Sequence, residues 1–232
     1  LGITLADADG NVPPDTCCWQ FNFRFSLDDD TYAQESIDLL VNSGLDFAQH
    51  QRRGIDVDEF GALLVTSGMV LIPGRITWVS FHSVFDFGYL VKLLTCAPLP
   101  ADEADFFRLL HAHFPAFYDI KLLMRVGRGL KGGLQDLADD LGIQRVGVQH
   151  QAGSDSLLTA QVFFKLRAAY FADGRIDDAV YLGQLFGLSA VAAPARSGNP
   201  FVVDGRTAAE SAAALLGTTP PYATPTMVRD GK

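Results

Sequence analysis

Cysteine is scarce in this chain, with three in 232 residues. Cys17 and Cys18 are adjacent, Cys96 stands apart, and no Cys-x-x-Cys pair exists, so neither a zinc ribbon nor a disulfide framework can be built. Free thiols fit a reducing compartment, the cytosol or the nucleus. Positive charge is also in short supply. Lys plus Arg number 18 against 27 Asp plus Glu, a formal net charge of −9. That argues against a protein that coats nucleic acid through a broad basic face. It leaves room for a nuclease with a local acidic site, because a bound metal inverts the local charge logic. No apolar run approaches the roughly 20 residues that a membrane-spanning helix needs, and no stretch reads as a signal peptide. The chain opens on Leu1 rather than Met, and Leu1-Gly2-Ile3-Thr4-Leu5 already reads as a strand. It is therefore expected to be a fragment lacking N-terminal sequence.

Apolar residues, by contrast, are plentiful. They make up 48% of the chain against 19% charged, which excludes disorder for the bulk of it. The length suits one large domain or two small ones. Gly2–Leu5 and Trp19–Phe25 are β-prone, and Trp19, Phe21, Phe23 and Phe25 alternate with Gln20, Asn22 and Arg24. That period of two predicts a half-buried antiparallel strand, paired to the first through a long loop. Thr31–Ser43 reads as a helix stopped by Gly44. Asp56 and Glu59 have capping-box spacing before an apolar stripe of Val57, Phe60, Leu63 and Leu64. Met69–Ile72 and Ile76–Phe81 are β-prone. Helices are predicted over Asp86–Leu94, Ala104–His113, Gly133–Leu141, Ser154–Phe171 and Ile176–Phe186, while Ala116–Met124 fits either strand or helix. A hairpin followed by alternating strands and helices implies an α/β fold, a mixed sheet with helices on its faces. Residues 189–232 are rich in Ala, Pro, Gly, Ser and Thr and read as a disordered tail, which leaves 1–188 as the folded domain.

Several segments carry possible chemistry. In Phe81-His82-Ser83-Val84-Phe85-Asp86, Asp86 lies where an extended run gives way to a helix. Acids at such junctions point into the crevice outside the strand ends, where α/β sheets bind ligands. A plain N-cap or first-turn acid, favoured by the helix dipole, is the better explanation of Asp86 when it is taken alone. In His150-Gln151-Ala152-Gly153-Ser154-Asp155, a histidine in a Gly-containing loop precedes an acid in the first turn of a long helix. The imidazole can take a proton from water near neutral pH, and the carboxylate is a hard ligand for Mg²⁺. A surface loop beside a capped helix is the alternative. Gly127-Arg128-Gly129-Leu130-Lys131-Gly132 has the letters of a dinucleotide fingerprint without its context, although its basic residues could receive a phosphate backbone. His111 and His113 are two apart on a helix and face different ways, so they do not chelate a metal.

Taken together and in order, a set of segments resembles one family. They are Cys18-Trp19-Gln20-Phe21-Asn22-Phe23, Tyr32-Ala33-Gln34-Glu35-Ser36-Ile37, Leu64-Val65-Thr66-Ser67-Gly68, Trp78-Val79-Ser80-Phe81-His82-Ser83, Asp86-Phe87-Gly88-Tyr89-Leu90, Leu130-Lys131-Gly132-Gly133-Leu134 and His150 through Thr159. The chain resembles the CCR-associated factor ribonucleases, the deadenylase subunit of the eukaryotic CCR–NOT complex, from about Leu1 to Leu188. The resemblance implies a ribonuclease H-like sheet of the DEDD exonuclease type. It implies Asp86 and Asp155 as metal-binding acids and His150 as the base that activates water. Two divalent ions, Mg²⁺ or Mn²⁺, are implied for the full-length enzyme. So are release of 5′-AMP from poly(A) 3′ ends and residence in nucleus and cytoplasm. The implied partners are poly(A) RNA, a large scaffold subunit, a leucine-rich-repeat nuclease and antiproliferative adaptor proteins. His82 and Lys131 are the candidate RNA contacts.

Two departures from the family pattern bear on this expectation. Val84 stands where the family usually has Gly, so a side chain could crowd Asp86 or alter the turn. The family's Asp-x-Glu motif is absent. Its strand is central in such sheets, so without it the sheet should be split, an interior edge exposed, and metal loading poor. The full-length product is accordingly expected to be an active 3′-to-5′ poly(A) exoribonuclease and the present chain to be nearly inactive. The competing expectations are an inactive interaction module of the same complex and a DEDD nuclease acting on DNA or structured RNA.

Overall fold

The structure, a computed structural model, describes residues 1–126 and 130–188. Its first strands, β1 (Gly2–Thr4) and β2 (Cys18–Gln20), form an antiparallel pair with Ile3 opposite Trp19. Beyond Gln20 the chain stays extended and keeps the expected alternation, with Phe21, Phe23 and Phe25 turned inward and Asn22 and Arg24 exposed. Phe21 still exchanges backbone bonds with Leu1; past it the chain leaves the ladder, and among the described residues its one further bridge joins Phe23 to Ile55. The predicted strand to Phe25 is therefore shorter than its hydrophobic pattern. Burial of alternate rings needs an extended chain but no neighbouring strand.

Three helices follow: α1 (Gln34–Asn42), α2 (Phe47–Arg53) and α3 (Val57–Thr66). The capping expectation at Asp56 holds, since its side chain accepts the N–H groups of Asp58 and Glu59. Phe60 and Leu64 of the predicted stripe are buried, but Leu63 is 67% exposed. α2 escaped the sequence reading because its apolar content is one Phe and one Ala. Asp46, which accepts from Gln49 N–H, is what starts it. Met69–Ile72 is not a strand. Leu71 adopts a left-handed φ of 66°, which breaks the extended run, although its N–H still reaches His113 O.

The second sheet pairs β3 (Trp78–Ser80) with β4 (Phe117–Asp119) in parallel. Between them run α4 (Val84–Thr95) and α5 (Glu103–His113). The ambiguous segment from Ala116 is both things in turn, β4 and then α6 (Ile120–Leu123), with Asp119 capping the change through Lys121 N–H. Next come α7 (Leu134–Asp140), the long α8 (Ala152–Tyr170) and the short α9 (Asp178–Tyr181). The helix predicted over Ile176–Phe186 shrinks to this one turn. The left-handed Gly183 donates instead to Phe117 O, which draws the chain back to β4. The expected tail, 189–232, lies outside the described residues, as do 127–129 of the glycine-rich loop.

The strands separate two cores. Trp78 and Phe117 face one built from Phe60, Phe87, Val91, Leu110 and Phe114. Val79 and Tyr118 face the other, built from Leu137, Leu158, Val162, Phe163 and Leu166. The period of two along each strand thus sends alternate residues to helices on opposite faces, giving an α/β/α arrangement. Its sheet layer is in two pieces: β1–β2 and β3–β4 are separate two-stranded sheets, as the split-sheet expectation requires. α8 contacts β1, β2 and β3, so it spans both pieces. The approach is close at Gly2, where a Cβ would lie 1.9 Å from Ala152 O.

Candidate active site

Between the two sheets opens a cavity of about 1530 Å³. The structure brings Asp86, His150 and Asp155 to its wall. β3 ends at Ser80, the chain turns through Phe81-His82-Ser83, and Asp86 falls in the first turn of α4. This is the strand-to-helix junction expected from sequence. Val84 begins α4 without a left-handed φ and packs toward the first core, so it neither alters the turn nor lines the cavity. Both histidines near the site are held in the left-handed region, His82 at φ 55° and His150 at φ 65°. Non-glycine residues adopt such backbone conformations only where their surroundings enforce them.

The enforcing group at His82 is Asp119, which sequence reasoning missed. Its carboxylate, 1% exposed, accepts four backbone N–H groups: His82 at 2.7 Å, Lys121 at 3.0 Å, Phe186 at 3.1 Å and Ser83 at 3.3 Å. It thereby ties the β3–α4 turn to α6 and to the chain after α9. Ser83, also buried, shares a 2.5 Å hydrogen bond with Ser80. Asp119 ends β4 as Asp86 follows β3, so the same junction argument, applied to the segment left ambiguous, would have found it.

Asp86 is reached by the water of the cavity, yet protein surrounds it on most sides. That desolvation pushes its carboxyl above the ordinary aspartate range; the charge of Asp119 adds to the rise, while its own backbone N–H and the nearby His82 oppose it. Burial likewise raises Asp119, against the pull of its four N–H donors.

Asp155, in the first turn of α8, is paired at 2.5 Å with Arg145. The guanidinium is almost buried, with its side chain 10% exposed, and it also donates to Gln135 Oε1 and Ser154 Oγ. Arg145 sits in an irregular loop, and no local pattern in the sequence marks it. Of the candidate RNA contacts, His82 stands beside Asp86, stacked edge-on against Phe186 at 5.3 Å. Lys131 is exposed and lies outside the cavity wall. The basic groups that do line it are Arg75, Arg145 and Arg167.

The donor set falls short of the divalent ions that the resemblance implies. Among the described residues, no three His, Cys, Asp or Glu side chains are grouped closely enough to hold a metal ion. Asp155 is already neutralised by Arg145. Oxygen-ligated divalent ions take six or more ligands, so two aspartates of which one is ion-paired do not fit a two-ion centre.

The helix-flanked mixed sheet with acids at its strand ends defines a ribonuclease H-like nuclease fold. Residues 69–163 match the CAF1 family ribonuclease description. The chain is 52% identical over 190 residues to poly(A) ribonuclease pop2 of Schizosaccharomyces pombe, covering 82% of this chain and 56% of that protein. Among solved structures it resembles S. pombe Pop2p in its Mg²⁺- and Mn²⁺-bound form, with a TM-score of 0.76 and 52% identity over 81% of this chain and 73% of that one. It also matches a chain in the structure of the yeast NOT1 MIF4G domain co-crystallized with CAF1, with a TM-score of 0.68 and 34% identity over 80% of this chain and 73% of that one. The chain belongs to the CAF1 ribonuclease family. It spans little more than half the length of the pop2 relative.

Proposed function

We propose that this chain carries the ribonuclease site of a poly(A)-specific 3′-to-5′ exoribonuclease, which shortens poly(A) tails and releases 5′-AMP within a CCR–NOT-type assembly. One observation carries the reading: Asp86 and the His150–Asp155 pair, far apart in sequence, line one cavity of nucleotide-accommodating size. His150 would accept the proton of the attacking water, and Asp86 and Asp155 would face the scissile phosphate. His82 and, farther out, Lys131 would contact the RNA. In the wider family, divalent ions neutralise the developing charge of such a phosphate; here the described donor set is short of that need, so turnover by this chain is slow. The relative solved with NOT1 supports a scaffold subunit as partner. A leucine-rich-repeat nuclease, antiproliferative adaptors and residence in nucleus and cytoplasm belong to the same proposal.

The test uses 5′-labelled oligo(A) and oligo(U) with Mn²⁺ at high protein concentration. The expected result is a slow ladder of 3′-shortened oligo(A) with 5′-AMP as product, lost in Asp86→Asn, Asp155→Asn and His150→Ala. Shortening that survives these substitutions, or that treats oligo(U) equally, overturns the proposal. Complete absence of shortening favours a second reading, an interaction module of the same complex, to which the Arg145–Asp155 pair already points.

A further inference from the structure

α8 begins without a cap of its own. Its N-cap residue, Gln151, makes no side-chain bond to the first N–H groups of the helix, and such groups need an acceptor from elsewhere. Gly153, the second residue of α8, finds one in β2: its N–H donates to Gln20 Oε1 at 2.8 Å, across 133 residues of sequence. Cys18, two residues earlier on the same strand and so on the same side of it, donates its thiol to Gly153 O at 3.1 Å. β2 thus holds both backbone groups of one residue and fixes where α8 starts.

The Gln151 side chain, spared from capping, runs the other way. Gln20 Nε2 donates to Gln151 Oε1 at 3.1 Å and to Asn22 Oδ1 at 3.2 Å. Gln151 Nε2 in turn donates to Ser43 O at 2.6 Å, just past α1. The direction of this relay is set at both ends. Gly153 N–H can only donate and Ser43 C=O can only accept, so each of the two amides has one permitted orientation. A carboxylate in place of either would turn two acceptors on each other. The residues held in this way flank the site. His150, in its left-handed conformation, immediately precedes Gln151, and Asp155 follows Gly153 by two residues, its N–H bonded to Gln151 O.

We propose that Gln20 is a positioning residue for the His150–Asp155 pair. It acts through Gln151 on the loop that carries His150, and through Gly153 on the start of the helix that carries Asp155. Gln20 itself does not line the cavity and touches no reacting atom. The proposal rests on the reading in which His150 accepts the proton of the attacking water, and it extends that site to a strand of the first sheet. One amide makes all three bonds, so its donor half can be removed while its acceptor half is kept.

Two variants of the whole chain separate the halves. Gln20→Glu keeps an acceptor for Gly153 N–H, and its charge is favoured at a helix N-terminus, but it has no donor for Gln151. Gln20→Leu removes both. Thermal unfolding is measured beside the ¹H–¹³C signal of the His150 ring, assigned by its absence in His150→Ala. The midpoint should be kept in Gln20→Glu and lowered in Gln20→Leu, with the His150 signal displaced in both. Amide exchange at Gly153 should quicken in Gln20→Leu alone. On 5′-labelled oligo(A) with Mn²⁺, both variants should lose about tenfold or more in kcat at unchanged KM, as misplacement of a reacting group does. A His150 signal unmoved in Gln20→Glu, or displaced only where the midpoint falls, overturns the proposal. A native chain that hydrolyses nothing overturns the reading of His150 as a base instead, and the His150 signal still decides the positioning.

Discussion

Asp119 Oδ1 accepts the backbone N–H of His82 at 2.7 Å, joining residues 37 apart in sequence. The bond fixes a left-handed histidine two residues before α4 begins, and so helps decide where Asp86 stands. Three further N–H groups share the same carboxylate. Asp119→Ala leaves all four without their acceptor in a buried place. A loss of about 3 kcal/mol or more is expected, measured as a lowered urea midpoint, with Asp119→Asn less damaging because one acceptor oxygen survives.

The raised carboxyl of Asp86 sets a pH dependence whose sign is definite. Its folded pKa lies above the unfolded one, so between the two the native state binds more protons than the unfolded state. The stability tied to that proton is complete below the unfolded value, near about 3.9, and is lost as pH rises through the folded value. Asp86→Asn should therefore stabilise the protein at pH 7, with a gain that shrinks as the pH falls toward about 4. Urea unfolding at a series of pH values checks it; a gain that grows on acidification contradicts it.

Arg145 holds Asp155, Ser154 and Gln135 at once. Arg145→Gln removes the charge that neutralises Asp155. Since Asp155 is about a third exposed, its share of the pairing is screened by solvent, and a stability loss of about 1–2 kcal/mol is expected. Mn²⁺ binding followed by calorimetry should tighten, because the freed carboxylate can now ligate. Unchanged Mn²⁺ affinity would separate Arg145 from the metal question.

Phe117 is fully buried between Phe87, at a ring separation of 4.8 Å, and His111. Phe117→Ala should cost about 3–5 kcal/mol as a core cavity. Gly2→Ala tests the opposite fault. Its new methyl group would meet the Ala152 carbonyl, so about 1–3 kcal/mol of overpacking is expected, read as a lower Tm.

Local rules carried the sequence reading a long way. Asp56 as a cap, the long helix after His150 and the junction before Asp86 each depend on a few neighbouring residues, and each is legible for that reason. The order of the segments from Cys18 to Thr159 carried the family resemblance. The shortened β2, the bend at Leu71 and the one-turn α9 were not legible, because each is decided by a partner distant in sequence: the lone bridge at Ile55, the carbonyl of His113, the carbonyl of Phe117. The site divides in the same way. That Asp86, His150 and Asp155 are acids and a base at element starts is a property of the chain alone. That they share a cavity, that Arg145 neutralises one of them and that Asp119 sets the turn of another are tertiary facts, because through-space electrostatics and backbone hydrogen bonds between distant segments exist only once two cores have packed on opposite faces of a divided sheet.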